Sequence, residues 1–254
     1  MINIVLIGSG NVATQLGSAF IKAGHNIVGI VSRNAITGAA LAKKMQCPYA
    51  TVLDKQLAAT DVILIAVKDD EIKNVVKQLP ITKALVVHTS GSIHINVFEN
   101  SIKNYGVFYP LQTLKNNKQN FKKVPICLEV KNKSNEQLLF NLSKSISDNI
   151  YFLDSEQRLH THLAAVFANN FTNHLYAVAE KILSNNNLPF ELLKPLITQT
   201  ALNANKFSPA KNQTGPAVRN DKVTLDKHLK LLKNDPQLSE LYQRITNSIK
   251  AFEK

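Results

Sequence analysis

Apolar and polar positions alternate between two regimes along the chain. Through the first three fifths, short apolar runs such as Ile2 to Ile7, Ile27 to Ser32, Val62 to Val67 and Ala84 to His88 are separated by stretches of helical period. Near-continuous apolar runs of this length are the mark of parallel strands buried on both faces, and helices between them are the usual crossovers. Val107 to Tyr109, Pro125 to Val130 and Ile150 to Leu153 read as further strands, with a helix over Glu136 to Ile146 before the last. From Ser155 onward only helical patterns remain, starting with a long one from Glu156 to about Leu183. Asn185-Asn186-Asn187, Pro189, Pro209 and Gly215-Pro216 punctuate the rest of the chain. The expectation is an α/β Rossmann-type domain with a mostly parallel sheet over residues 1–154, followed by an all-α domain over 155–254.

The first strand runs directly into Gly8-Ser9-Gly10-Asn11-Val12-Ala13 and then an amphipathic helix carrying Val12, Leu16 and Phe20. In that context G-x-G-x-x-A is a dinucleotide fingerprint. The first glycine permits the tight turn, the second lets backbone approach a pyrophosphate, and the small third residue lets helix and strand pack closely. Helix N-terminal amides then face the phosphates. Gly8, Ser9, Gly10, Asn11 and Val12 are the expected cofactor contacts. An NAD-type site usually ends its second strand in a carboxylate that holds the adenosine ribose; here Ser32-Arg33-Asn34 stands in its place. A guanidinium with hydroxyl and amide donors suits a 2′-phosphate, so NADP (NADPH) is expected ahead of NAD. The same missing acid argues against a methyltransferase. Val67, Lys68, Thr89 and Ser90 follow two further strands, at the sheet edge where ligands of open α/β folds bind.

The net charge of +12 would ordinarily raise nucleic acid as a partner. The lysines are scattered without a basic block, so a small anionic substrate fits better, with neither nucleic acid nor membrane as partner. Two cysteines make neither a disulfide framework nor a metal site, and no zinc-type spacing occurs. No apolar run reaches transmembrane length, and the start of the chain reads as a core strand without a leader. A cytoplasmic protein is expected.

Candidate chemistry lies in four places. On a helical wheel His162, Asn169, Asn173, Tyr176 and Glu180 form a polar stripe opposite Phe167, Phe171, Leu175, Val178 and Ile182, with Asn170 between. Such a stripe can be a solvated face, but histidine and amides near its start suit a site better than lysine and glutamate would. His88, at a strand end, could face a nicotinamide or be a structural histidine. Tyr109-Pro110-Leu111-Gln112-Thr113 could line the same cleft through Tyr109 and Gln112, or only turn the chain. Gln213 and Arg219 lie in a Gly-Pro loop, where Arg219 could hold a carboxylate or phosphate or be a surface charge ahead of a helix capped by Asp221 or Thr224. Ser90 lacks a nucleophile-elbow pattern, which argues against a serine hydrolase.

Taken together, Ile7 to Ala13, His88 to Ser92, Tyr109 to Thr113, His162 to Phe171 and Gln213 to Ala217 with Arg219 and Asp221 make the chain resemble, over nearly its whole length, an uncharacterised bacterial family. Its members join a Rossmann-like domain to a C-terminal helical domain of unknown function and are labelled NADP oxidoreductases. The third segment usually has histidine before its proline, where this chain has Tyr109. The wider group is similar to pyrroline-5-carboxylate reductase, ketopantoate reductase and the deazaflavin-dependent NADP reductases. The resemblance implies hydride transfer to or from a small C=O or C=N substrate, or a deazaflavin-like carrier, and a homodimer built through the helical domain. His162 is the first choice for proton transfer, His88 the second, and Asn170 would orient the substrate. A non-catalytic dinucleotide-binding regulatory or interaction module is the alternative.

Overall fold

The structure is a computed structural model that describes residues 1–52, 60–115 and 120–252. The chain divides into two compact units, Met1–Asn173 and His174–Lys254. The first carries eight strands: β1 (Asn3–Ile7), β2 (Asn26–Val31), β3 (Tyr49–Ala50), β4 (Val62–Ile65), β5 (Leu85–His88), β6 (Tyr105–Pro110), β7 (Ile126–Val130) and β8 (Ile150–Phe152). They form one sheet in the order β3-β2-β1-β4-β5-β6-β7-β8. Every pairing is parallel except β6 with β7. The order reverses between β1 and β4, so the carboxyl ends of β1, β4, β5 and β6 share one edge around that switch point.

Neighbouring residues of one strand feed opposite cores because strand side chains alternate. Ile4 and Leu6 join the layer under α1 (Asn11–Lys22), α2 (Ala35–Met45) and α4 (Glu136–Ile146), together with Leu16, Phe20, Met45 and Leu142. Val5 and Ile7 join the opposite layer with Ile72 and Val76 of α3 (Asp69–Gln78) and Phe98. Burial on both faces explains why the central strands are uniformly apolar. The close approach of α1 depends on Gly17: a Cβ there would lie 2.7 Å from the Met45 sulfur and 2.8 Å from a Leu6 methyl.

The expected division after Asp154 marks the end of the sheet, but the first unit also takes in α5 (Ser155–Ala165) and the turn after it. α5 starts with a capping box in which Asp154 accepts from the Gln157 amide and the Gln157 side chain accepts from the Asp154 amide. The single long helix expected to Leu183 is interrupted: residues Val166–Phe171 form a π-helical turn before α6 (Thr172–Ser184). The second unit contains α7 (Lys194–Lys206), α8 (Lys222–Leu231) and α9 (Pro236–Phe252), with Asp221 capping α8 through the Thr224 amide. Among the described residues no helix is long and apolar enough to cross a membrane.

Two basic side chains, Arg158 and His88, are buried inside the first unit. Arg158 of α5 is 1% exposed and ion-pairs with Glu129 of β7. Its Nη2 donates to the Ile93 carbonyl at 2.6 Å, and Ser155 donates to the same carboxylate while accepting from the Ile95 amide. His88 is wholly buried and stacks on Phe98 with ring centroids 5.5 Å apart. Its Nδ1 accepts from the Ser90 amide at 3.2 Å, which places the proton of the neutral ring on Nε2, and that atom has no partner among the described residues. Burial first, and the Arg158 charge second, hold its pKa down to about 3.

Both groups give measurable consequences. Arg158→Met leaves the largely buried Glu129 carboxylate without its cation and should cost about 3–5 kcal/mol in urea unfolding. A histidine kept neutral in the fold but basic when unfolded adds stability that is complete above pH 6.5 and lost as pH falls toward its folded value. Between pH 7 and 5 the wild type should therefore lose about 2 kcal/mol more than His88→Asn. Equal losses would show that His88 is not held neutral.

Candidate functional site

The ends of β1, β2, β4 and β5 bring the expected cofactor residues to one edge. Gly8 turns the chain at φ +116°, and its amide donates to the Val31 carbonyl at 2.8 Å. A Cβ at Gly8 would run into the Ala66 carbonyl group, so this turn and the end of β4 fit together only around glycine. Gly10 is the N-cap of α1, has open space where a Cβ would be, and offers no side chain to cap the first turn. That turn carries no acidic residue, whereas the first turn of α3 carries Asp69, Asp70 and Glu71. Amides free of a cap, bare backbone at Gly10 and no nearby carboxylate on that turn fit an anionic pyrophosphate at Gly8, Ser9, Gly10, Asn11 and Val12.

The end of β2 holds a cluster of hydroxyls. Ser9 Oγ lies 2.8 Å from Ser32 Oγ and 2.7 Å from Thr37 Oγ1. Tyr49 donates to the Ser32 carbonyl at 2.9 Å, fixing the strand end from beneath. Asn34 caps α2, its Oδ1 accepting from the Thr37 amide at 3.0 Å. Arg33 is 77% exposed and reaches Glu71 of α3, with Nη2 to Oε2 at 3.0 Å. Thr37 and Glu71 were not among the residues expected from the sequence. The first is visible there only as a small polar residue one turn into a helix, and the second comes from another crossover.

Val67 lies against the Gly8 turn, and Lys68 is the N-cap of α3. The hydroxyls of Thr89 and Ser90 serve the backbone: Thr89 donates to the Ile65 carbonyl, and Ser90 accepts from the Ser92 and Ile93 amides. Ser92, also outside the expected set, donates to Asp69 at 2.6 Å. These contacts shape the loop after β5 and leave its backbone beside the switch point.

The catalytic candidates separate. His88 is enclosed by the core and does not face a cleft; its position at a strand end concealed that both faces of β5 are covered. His162 is half-buried on α5, and its Nδ1 lies 2.9 Å from the Tyr109 hydroxyl. Gly91 packs against both rings, and nothing in its sequence context beyond a lone glycine at a strand end signals that contact. Burial first, then the negative charges of Cys127 and Asp69, raise the Tyr109 pKa to about 12, with Arg158 opposing. Cys127 pairs with Tyr109 across β6 and β7, and burial lifts its own pKa to about 11, so it is an inert thiol.

Asn169 and Asn170 lie in the π turn. Asn169 Nδ2 donates to Thr113 Oγ1 at 2.6 Å, tying the turn to the segment after β6. Asn170 is exposed, and Gln112 accepts from the Thr113 amide. A π turn contains more residues than an α turn, so the stripe drawn at about a hundred degrees per residue loses phase after Ala165. Gln213 and Arg219 belong to the second unit, where both are exposed and Gln213 donates to the Thr214 carbonyl. Among the described residues no cluster could hold a metal ion.

Residues 3–90 match the family described as NADP oxidoreductase coenzyme F420-dependent, and residues 124–249 match a domain of unknown function, DUF2520. No curated protein is similar enough to be matched. A Bacteroides fragilis protein described as a "putative NADP oxidoreductase" is 38% identical, covers 98% of each chain and superposes with a TM-score of 0.90. At the level of fold alone, pyrroline-5-carboxylate reductase from Coxiella burnetii is similar at 18% identity and TM-score 0.60, covering 98% of this chain and 96% of its own. An imine reductase from Myxococcus stipitatus in complex with NADP+ is similar at 13% identity and TM-score 0.64, covering 98% and 92%. By its identity to the Bacteroides protein over nearly the whole of both chains, this chain belongs to the family that joins an NADP-oxidoreductase domain to a DUF2520 domain.

Proposed function

We propose that the protein is an NADP-dependent oxidoreductase acting on a small C=O or C=N substrate, or on a deazaflavin-like carrier. The observation that carries this reading is the end of β2, where Ser9, Ser32 and Thr37 gather their hydroxyls, Arg33 follows Ser32 directly in the chain, and no carboxylate ends the strand. Hydroxyls and a guanidinium complement a 2′-phosphate, and a carboxylate there would repel it. NADPH, when bound, supplies the hydride. The amides of Gly8, Gly10, Asn11 and Val12 hold the pyrophosphate, and Ser32, Arg33 and Asn34 hold the 2′-phosphate. Val67, Lys68, Thr89 and Ser90 flank the nicotinamide end. The proton comes from the His162 side of the site, Asn170 orients the substrate, and Tyr109 and Gln112 complete its binding.

The active form is a homodimer built through the helical region. Leu159, Leu163, Phe167 and Phe171 recur every fourth residue and are 43%, 54%, 62% and 49% exposed. Phe167 and Phe171 pack edge to face with centroids 4.9 Å apart. An apolar row of this size on a monomer surface is suited to being covered by a second copy.

Calorimetric titration of the cofactor-stripped protein should find NADPH bound ahead of NADH. Arg33→Ala should weaken NADPH by about tenfold or more and leave NADH little changed. Glu71 competes with the phosphate for Arg33, so Glu71→Gln should tighten NADPH by about two- to fivefold, the range of an exposed ion pair. Failure of the wild type to bind NADPH would end the oxidoreductase reading. For the dimer, Leu163→Asp with Phe167→Asp should sediment as a monomer where the wild type sediments as a dimer.

A further inference from the structure

Three elements meet at the carboxyl edge of the sheet: the loop after β5, the end of β6, and α5. A Cβ at Gly91 would stand 2.7 Å from both His162 Nδ1 and Tyr109 Cζ. The two rings are therefore pressed against bare backbone on one side and against each other on the other. Their centroids are 5.9 Å apart in an edge-to-face arrangement, and the phenol oxygen is 2.9 Å from Nδ1. With Gly91 and the phenol occupying its Nδ1 edge, the imidazole has two outlets for a proton: its other nitrogen, or the oxygen of Tyr109. Tyr109 stands at the end of β6, on the same sheet edge as Gly8, Val67 and Thr89. The imidazole reaches that edge from α5 by way of this hydroxyl.

Resting on the oxidoreductase reading above, we propose that Tyr109 is the catalytic residue that hands the proton to the substrate and that His162 reloads it. With neutral His162 the phenol donates to Nδ1 and its proton is directed away from the substrate. With protonated His162 the bond reverses: Nδ1–H donates to the phenol oxygen, and the phenol O–H is free to turn outward. As the C=N or C=O group is reduced, its nitrogen or oxygen takes the phenol proton. The Tyr109 O–H bond breaks while the Nδ1 proton passes to the same oxygen, leaving Tyr109 neutral and His162 neutral. After product departs, one proton from water returns to Nδ1 through the same hydroxyl, so each turnover consumes one solvent proton.

The surroundings fit this division of labour. The raised pKa keeps Tyr109 protonated in the resting protein and makes it a poor acid alone, so it needs a cation behind it. Gly91 supplies the closeness, since any side chain there would wedge the rings apart. Asp69, which Ser92 holds, adds negative charge near the phenol and disfavours a lasting phenolate.

The test uses the full-length protein, with Tyr109→Phe, His162→Gln and the double variant. Nitrogen-15 NMR of labelled histidine reads the pair without any substrate: Nδ1 of neutral His162 should show the shift of a hydrogen-bond acceptor, lost in Tyr109→Phe. NADPH oxidation is then measured with 1-pyrroline and a panel of small cyclic imines and ketones. Each single variant should lower kcat by about 10²–10⁴-fold. Their NADPH Kd should stay within about twofold of wild type, and the double variant should be no worse than Tyr109→Phe, as residues acting as a unit behave. An unchanged Nδ1 shift in Tyr109→Phe, or kcat retained in Tyr109→Phe but lost in His162→Gln, would overturn the proposal, the latter by making the imidazole the direct donor. A wild type that binds NADPH but oxidises it with no member of the panel would instead sink the reading beneath it, leaving the pair structural.

Discussion

The buried pairing of Arg158 with Glu129 sets the geometry of one half of the site. A guanidinium 1% exposed is tolerated when its charge is matched and most of its donors are used. Both terminal nitrogens of Arg158 are bonded, Nε has no partner among the described residues, and one cation joins three separate pieces of chain. Glu129 brings β7, the Ile93 carbonyl brings the loop after β5, and Ser155 brings the first turn of α5. Once that turn is fixed, helix geometry alone places His162 one further turn along, and the loop from β5 carries Gly91 beneath it. The same charge helps keep His88 neutral inside the core. A buried ion pair is weak evidence for stability. Its contribution here is positional, since an apolar contact would hold α5 without fixing its rotation.

The other half depends on backbone rather than charge. Gly8 must adopt a positive φ while pressed against the Ala66 carbonyl, so the β1 turn is registered on β4. Ser9 then reaches both Ser32 and Thr37, coupling the turn to the end of β2 and the start of α2. Polar groups from two crossovers are thereby locked in relative position before any ligand arrives, and preorganisation of that kind reduces the ordering cost of binding. Arg33 is the exception. It is exposed and held by Glu71 rather than by the hydroxyl cluster.

The sheet was legible in the sequence because parallel strands covered on both faces leave apolar runs that no amphipathic helix produces, as at Val62–Ile65 and Leu85–His88. The turn at Gly8 was legible because few other residue types satisfy it. The illegible parts depend on contacts distant in sequence. Glu129 inside an apolar strand and Arg158 three residues after Ser155 each look like ordinary surface charges until β7 and α5 meet. The sequence left His88 open between a site histidine and a structural one because Phe98, which stacks on it, arrives from the next crossover. Gly91 carries no local mark of the two rings packed against it, and its partners lie 18 and 71 residues away along the chain.

The π turn explains why the helical stripe that begins at His162 does not hold through the residues after it. An extra residue within one turn widens the helix and rotates everything beyond it, and such turns persist only where contacts repay the poorer hydrogen bonding. Two contacts do so here. Asn169 turns toward Thr113 and ties the end of α5 to the segment following β6. Phe167 and Phe171 turn outward as a packed aromatic pair. One irregularity therefore serves two faces of the same helix, directing an amide toward the strand ends while presenting aromatic surface on the outside. A regular helix through residues 166–171 would keep the wheel intact, but it would rotate Asn169 and the aromatic pair out of these positions together. The irregular turn positions residues at the strand ends, as the Arg158–Glu129 ion pair does.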